Sequence, residues 1–168
     1  MALMIEGRQS EINTLLNKMA DWFDYSKDFV QLHENTINKF VIQCGYKNLY
    51  HKELTFSEYH VIDCIGKNHL PNSTFIAKQL DMTKGAISKI TAKLVSKGLI
   101  NANRLDNNKK EVYFTLTSQG KDAYEVHERI HDFENSKLVN IFKEYNEEEL
   151  KVIHRFLDDI LSGLPKDI

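Results

Sequence analysis

Proline and glycine are scarce in this chain. Its 168 residues include only Pro71 and Pro165, and seven glycines, so low-complexity and loop-dominated architectures are excluded. Cysteine is as rare: Cys44 and Cys64 stand twenty residues apart without a CxxC pair. That spacing excludes a disulfide scaffold and fits a reducing compartment. No stretch approaches the roughly 18–20 uninterrupted apolar residues of a membrane span. The N-terminal segment meets Glu6 early and has no apolar core, so no secretory signal is expected. Neither sign of charge dominates, with 22 basic and 24 acidic residues and a net charge of −2. A wholly basic nucleic-acid coat is therefore excluded. The 42% hydrophobic and 27% charged content excludes a disordered chain. HExxH, GxSxG, the P-loop and GxGxxG are all missing, which leaves no common catalytic signature. These absences predict a cytoplasmic protein of one domain or two small layers sharing a core.

What is present is uneven. Residues 72–116 carry Lys78, Lys84, Lys89, Lys93, Lys97, Arg104, Lys109 and Lys110 against Asp81, Asp106 and Glu111, a local charge of +5 that leaves −7 on the rest. A basic block in an acidic chain is the sequence footprint of a polyanion site, and equally of a solvated lysine-rich face. The positions of the lysines on predicted elements decide between the two.

The pattern is mainly helical. Between Gly7 and Gly45 apolar residues recur at three- and four-residue steps, among them Leu15, Met19, Trp22, Phe23, Val30, Ile37 and Val41. Unbroken, that helix would be about 55 Å long, so it either bends near Asp24–Asp28 or packs on another chain. Thr55 and Glu58 form a capping box that opens a helix running to Gly66. Pro71-Asn72-Ser73 starts a short helix, Thr83 caps another that ends at Lys97, and Gly98 suits the left-handed position that terminates it. This is the helix-turn-helix pattern. Two β-prone runs, Leu99–Arg104 and Val112–Leu116, flank an Asp/Asn cluster and predict a hairpin in the place of a wing. Thr117 caps a long helix from Ser118 to about Lys143. Asn146 and Glu149 cap a last one, with Leu150, Ile153, Leu157, Ile160, Leu161 and Leu164 on one stripe.

On the helix after Thr83, Ile87, Ile90, Thr91 and Leu94 share one face, within about 60° of Ile87 at 100° per residue. Gly85, Ser88, Lys89, Ala92 and Ser96 collect opposite, with Lys84 and Lys93 on the flanks. Small and polar residues let a helix enter a major groove about 12 Å wide, with Ser88 and Lys89 reaching base edges. The flanking lysines suit phosphates. An ordinary surface helix pairs its lysines with acids at i,i+4, and Thr83–Lys97 holds no acid. The candidate DNA contacts are therefore Thr83, Lys84, Gly85, Ser88, Lys89 and Lys93 on this helix. Arg104, Lys109 and Lys110 join them from the wing, the two lysines at the far end of the hairpin loop. Ser73 and Thr74 add the start of the preceding helix.

Taken in order, Leu54-Thr55, Ile76-Ala77-Lys78-Gln79-Leu80, Lys97-Gly98-Leu99-Ile100, Leu116-Thr117 and Gly120 resemble the MarR family of bacterial winged-helix repressors, over about residues 54–161. The wing departs from the family's Asp-x-Arg pair, with Asn108-Lys109-Lys110 in its place, so a different fastening is expected. The resemblance implies a mainly α fold with a small β-hairpin wing, organised as residues 1–53 (dimerisation helices), 54–117 (winged helix-turn-helix) and 118–168 (dimerisation helices) in one continuous unit. It implies a homodimeric repressor on a pseudo-palindromic double-stranded DNA operator, with half-sites about one helical turn apart, controlled by a small molecule, metal or oxidant.

Histidines carry the sharpest lead to an effector. His127 and His131 are i,i+4 on one helical face, a spacing that lets two imidazoles share a metal. The resemblance to the zinc-uptake repressor subgroup of Firmicutes adds His60 as a third zinc ligand and Glu34 as candidate fourth. Glu58, His60, Ile62, Asp63, Ile65, Gly66 and Lys67 also resemble the fatty-acid-synthesis repressor subgroup, where such histidines would line a pocket for a lipid-carrier ligand. Cys64, in a helix middle among apolar neighbours, is a poor oxidant sensor because burial raises its pKa. Two other classes stand as alternatives: a fold-retaining helical adaptor without DNA binding, and a metal-dependent enzyme.

Overall fold

The computed structural model describes residues 2–27, 29–105 and 108–163. Among the described residues, seven α-helices and one hairpin follow in the order α1 (Ala2–Lys27), α2 (Phe29–Gln43), α3 (Phe56–Lys67), α4 (Ser73–Gln79), α5 (Lys84–Ser96), β1 (Ile100–Leu105), β2 (Asn108–Leu116), α6 (Ser118–Phe142) and α7 (Glu147–Gly163). The long N-terminal stripe is carried by α1 and α2. Asp28 itself lies outside the described residues, as do Asp106, Asn107 and Leu164 of the predicted turn and last stripe. The chain packs as two compact units that divide inside α6, at Glu128.

Local chemistry sets most boundaries of the first unit. Thr55 Oγ1 accepts from Glu58 N while Glu58 Oε2 accepts from Thr55 N at 2.8 Å, so both halves of the capping box form. Asn72 caps α4 through Phe75 N at 2.8 Å, and Thr83 caps α5 through Ala86 N at 3.2 Å. The C-terminus of α5 turns at Gly98, whose φ of +70° is a conformation that glycine adopts without Cβ strain. Thr117 then knots wing to helix: its Oγ1 donates to Gly98 O at 2.8 Å and accepts from Gly120 N at 3.0 Å. Gly120 is needed here because a Cβ would lie 1.9 Å from Leu99 O.

The hairpin is antiparallel, pairing Ile100 with Leu116 and Asn103 with Tyr113, with an irregularity at Arg104 and a Leu105–Asn108 closing pair. Thus β2 begins earlier than the β-prone run at Val112, and Lys109 and Lys110 belong to the strand rather than to the loop. Charged residues are weak strand formers alone; here they lie between the Asn103–Tyr113 and Leu105–Asn108 pairs that hold the two strands together. The core gathers Ile37 and Val41 of α2, Val61, Ile62 and Ile65 of α3, Ile76 of α4, Ile87 and Leu94 of α5, and Phe114 of β2, all buried. Several α1 side chains stay exposed, including Leu15, Leu16 and Trp22.

In the second unit, Asn146 and Glu149 close their predicted box, Glu149 Oε2 accepting from Asn146 N at 2.8 Å. No residue of α7 is buried, although Val152, Phe156, Leu157 and Leu161 are apolar and exposed, as are Phe133, Leu138 and Ile141 of α6.

Candidate nucleic-acid interface and histidine cluster

The two faces of α5 separate as its periodicity predicts. Ile87, Thr91 and Leu94 are buried and Ile90 is half-buried, while Gly85, Ser88, Lys89, Ala92 and Ser96 are all exposed. Thr91 Oγ1 donates to Ile87 O at 2.9 Å, so the one polar group on the inner face is satisfied within the helix. Thr83 and Lys84 lie exposed at its N-terminus. Lys93 is exposed as well, but its Nζ stands 3.2 Å from Glu58 Oε1.

Glu58 is the hub of that inner edge. Its carboxylate is buried, meets Lys97 Nζ at 2.9 Å, and accepts from the Thr55 amide. Burial pushes the carboxyl up, but the hydrogen bond from Lys97, the Thr55 amide, the charge of Lys97 and the hydrogen bond from Lys93 outweigh it and hold it below the usual range. One side chain therefore caps α3 and grips α5.

Arg104 and Lys110 are exposed on the wing; the side chain of Lys109 lies outside the described residues. At the start of α4, Ser73 is half-buried and Thr74 exposed. Asn72 Nδ2 there donates to Glu111 Oε2 at 2.9 Å. That carboxylate makes the α4 terminus a poorer phosphate seat than the lysine-flanked α5.

The second constellation lies between α2, α3 and α6. His127 of α6 is buried, with its ring centroid 5.2 Å from His60 and 5.8 Å from His33, both edge-on. Tyr59 stacks on His127 at 5.6 Å and 7°, and Phe56 meets His60 at 4.2 Å. His33 and His127 each offer a ring nitrogen within 4.8 Å of the other. His131 follows one turn along α6, half-buried, with Nδ1 3.7 Å from Glu134 Oε2. Glu34 is occupied otherwise: its Oε1 accepts from Phe56 N at 2.7 Å, a carboxylate on the N-terminus of α3.

His33 was not singled out by sequence reasoning. It is buried in phase with Ile37 and Val41 at four-residue steps, and that phase was the available signal. Asp63 was likewise missed as a partner: its Oδ1 lies 3.7 Å from His127 Nδ1 and 3.0 Å from Lys67 Nζ. Burial raises its pKa, but the adjacent His127 imidazole and the Lys67 ammonium outweigh that and bring it down to about 2. Cys64 behaves as expected, buried and with its thiol pushed up first by burial and then by Asp63.

Residues 54–112 match the model of the MarR family. The chain is 32% identical over 148 residues to the uncharacterized HTH-type transcriptional regulator YhjH of Bacillus subtilis (strain 168), covering 88% of this chain and 81% of that protein. It is 36% identical over 105 residues to the HTH-type transcriptional regulator PchR of the same organism, covering 62% of each. Among solved structures, the zinc-responsive MarR family member ZitR of Lactococcus lactis superposes with a TM-score of 0.62 at 25% identity, over 66% of this chain and 76% of that one.

Proposed function

The chain belongs to the MarR family, and from that premise we propose that it is a homodimeric repressor whose hold on DNA is set by zinc at the histidine cluster. It is a DNA-binding transcriptional regulator of the winged-helix type. The observation that carries the DNA-facing assignment is the exposed α5 face, with Gly85, Ser88, Lys89, Ala92 and Ser96 in the middle, Thr83 and Lys84 at its start, and no acid among them. Ser88 and Lys89 read base edges. Lys84, Lys93 and the wing residues Arg104 and Lys110 sit against phosphates, and Lys109, whose side chain lies outside the described residues, is assigned with them from the sequence. Ser73 and Thr74 play a lesser part beside Glu111.

Among the described residues no helix is long and apolar enough to cross a membrane, and we place the protein with its DNA in the cytoplasm. Its relatives are transcriptional regulators, and we assign it no catalytic step. The exposed apolar residues of α1 and of α7 support dimerisation, since single copies of such stripes leave large patches in water.

The zinc reading has three supports. The rings of His33, His60 and His127 come together, His33 and His127 buried and His60 half-buried, and His131 follows one turn along α6. Zinc holds imidazole nitrogens at 2.0–2.1 Å, about 3.4 Å from one another, and His33 and His127 each offer a ring nitrogen within 4.8 Å of the other. Asp63 beside His127 Nδ1 is the kind of carboxylate partner that orients a metal-binding ring. His33 replaces Glu34 in the ligand set, because Glu34 serves the α3 terminus. Zinc would supply a charge that draws α2, α3 and α6 together. From α3, Glu58 already reaches Lys93 and Lys97 of the recognition helix.

The test is fluorescence anisotropy on the protein's own upstream DNA, with zinc and then with chelator. Tight binding only with zinc is the expected result. Equal binding in both conditions keeps the regulator and removes the metal.

A further inference from the structure

The wing's inner residues reach across to α4. Glu111 Oε2 accepts from Asn72 Nδ2 at 2.9 Å, across 39 residues of chain, and from Tyr113 Oη at 2.8 Å. Backbone pairing reinforces the junction: Asn72 and Tyr113 form an isolated antiparallel bridge, and Phe114 N donates to Pro71 O at 3.0 Å. We propose that Glu111 is a positioning residue that fastens the wing to the start of α4 and thereby sets where Lys110 meets DNA.

A two-stranded hairpin is marginal by itself, and the irregularity at Arg104 loosens the ladder halfway along. The outer wing therefore takes its direction from whatever holds β2 near its middle. Glu111 and Tyr113 share one face of β2, and neighbouring strand residues point to opposite faces. Holding Glu111 against Asn72 thus fixes the strand at the residue next to Lys110, which is exposed. The role is one of placement, since a carboxylate is itself repelled by phosphate. Hydrogen bonds from Tyr113 and Asn72, with the charge of Lys84 nearby, keep the Glu111 carboxyl below its ordinary range, so the acceptor stays ionised at neutral pH. The same carboxylate lies in the field of the first lysine of α5, which links wing and recognition helix. This is the alternative fastening that a wing without the Asp-x-Arg pair requires.

The proposal rests on the DNA-facing assignment of the wing, and two measurements separate them. Hydrogen exchange of the full-length, DNA-free protein reads the clamp. Glu111→Ala and Asn72→Ser, the latter keeping a cap for α4, should speed exchange at the Phe114 amide and along β1 and β2. Glu111→Gln, whose amide oxygen still accepts from Asn72, should exchange like the native protein. Unchanged exchange in Glu111→Ala overturns the clamp. The second measurement is the salt dependence of DNA binding. Lys110→Ala should lower the slope of log K against log salt by about 1 in the native background and by much less in Glu111→Ala. Equal losses in the two backgrounds overturn the positioning role. No effect of Lys110→Ala in the native background, with exchange accelerated in Glu111→Ala, overturns the DNA-facing wing while leaving the clamp.

Discussion

Removing the Glu58 carboxylate should loosen the junction between α3 and the recognition helix, and its cost can be worked out contact by contact. The side chain is buried, accepts from Thr55 N at 2.8 Å, and meets Lys97 Nζ at 2.9 Å and Lys93 Nζ at 3.2 Å. Lys93 is 55% exposed and Lys97 17%. The Lys93 pair is therefore close to a surface ion pair, worth ~0–1 kcal/mol, and most of the effect runs through Lys97. Glu58→Ala leaves that half-enclosed ammonium without its carboxylate and α3 without half its capping box, for a loss of about 3–5 kcal/mol. Glu58→Gln keeps shape and an acceptor and loses the charge, for about 1.5–3 kcal/mol. The pH dependence has a definite sign. The folded pKa is depressed below 4.5, so the stabilisation is complete above the unfolded value and lost as pH falls through the folded one. Urea denaturation at fixed protein concentration checks both points. The gap between native and Glu58→Gln proteins should be open at pH 7 and close toward acid. Equal stability at pH 7, or a gap independent of pH, would refute the reasoning.

Other outcomes follow from the same geometry. Gly120→Ala puts a methyl 1.9 Å from Leu99 O; backbone must move, and thermal or urea unfolding should show a loss of at least the ~1–3 kcal/mol typical of overpacking. Sedimentation at micromolar concentration should find a dimer, and a stable folded monomer would contradict the reading of the exposed apolar stripes of α1 and α7. Calorimetry with zinc should show His127→Ala binding far more weakly than the native protein; equal affinity would remove His127 from the ligand set.

Features written in neighbouring residues were legible from the sequence. The caps at Thr55, Thr83, Thr117 and Asn146 and the left-handed turn at Gly98 rest on contacts a few residues long. The inward and outward faces of α5 followed from helical period alone. What was missed depends on distant segments. Glu58 was read as half of a capping box, and its grip on Lys97, 39 residues on, appeared only in the fold. The same holds for Asn72 with Glu111. The β-prone run starts at Val112 and by itself leaves Lys109 and Lys110 in the loop, whereas the Leu105–Asn108 pair carries the strand back to Asn108. His33 carries no local motif, and its burial in phase with Ile37 and Val41 shows only once α2 is packed.

The central claim is that α5 reads DNA sequence through its outward face, and a comparison of two lysines tests it most directly. Anisotropy titrations of the native, Lys89→Ala and Lys84→Ala proteins would be run on the upstream operator and on a scrambled duplex at one salt concentration. Lys89→Ala should lose ~1–3 kcal/mol on the operator and far less on the scrambled duplex, while Lys84→Ala should weaken both alike. Native affinity for the operator in both variants would contradict the account.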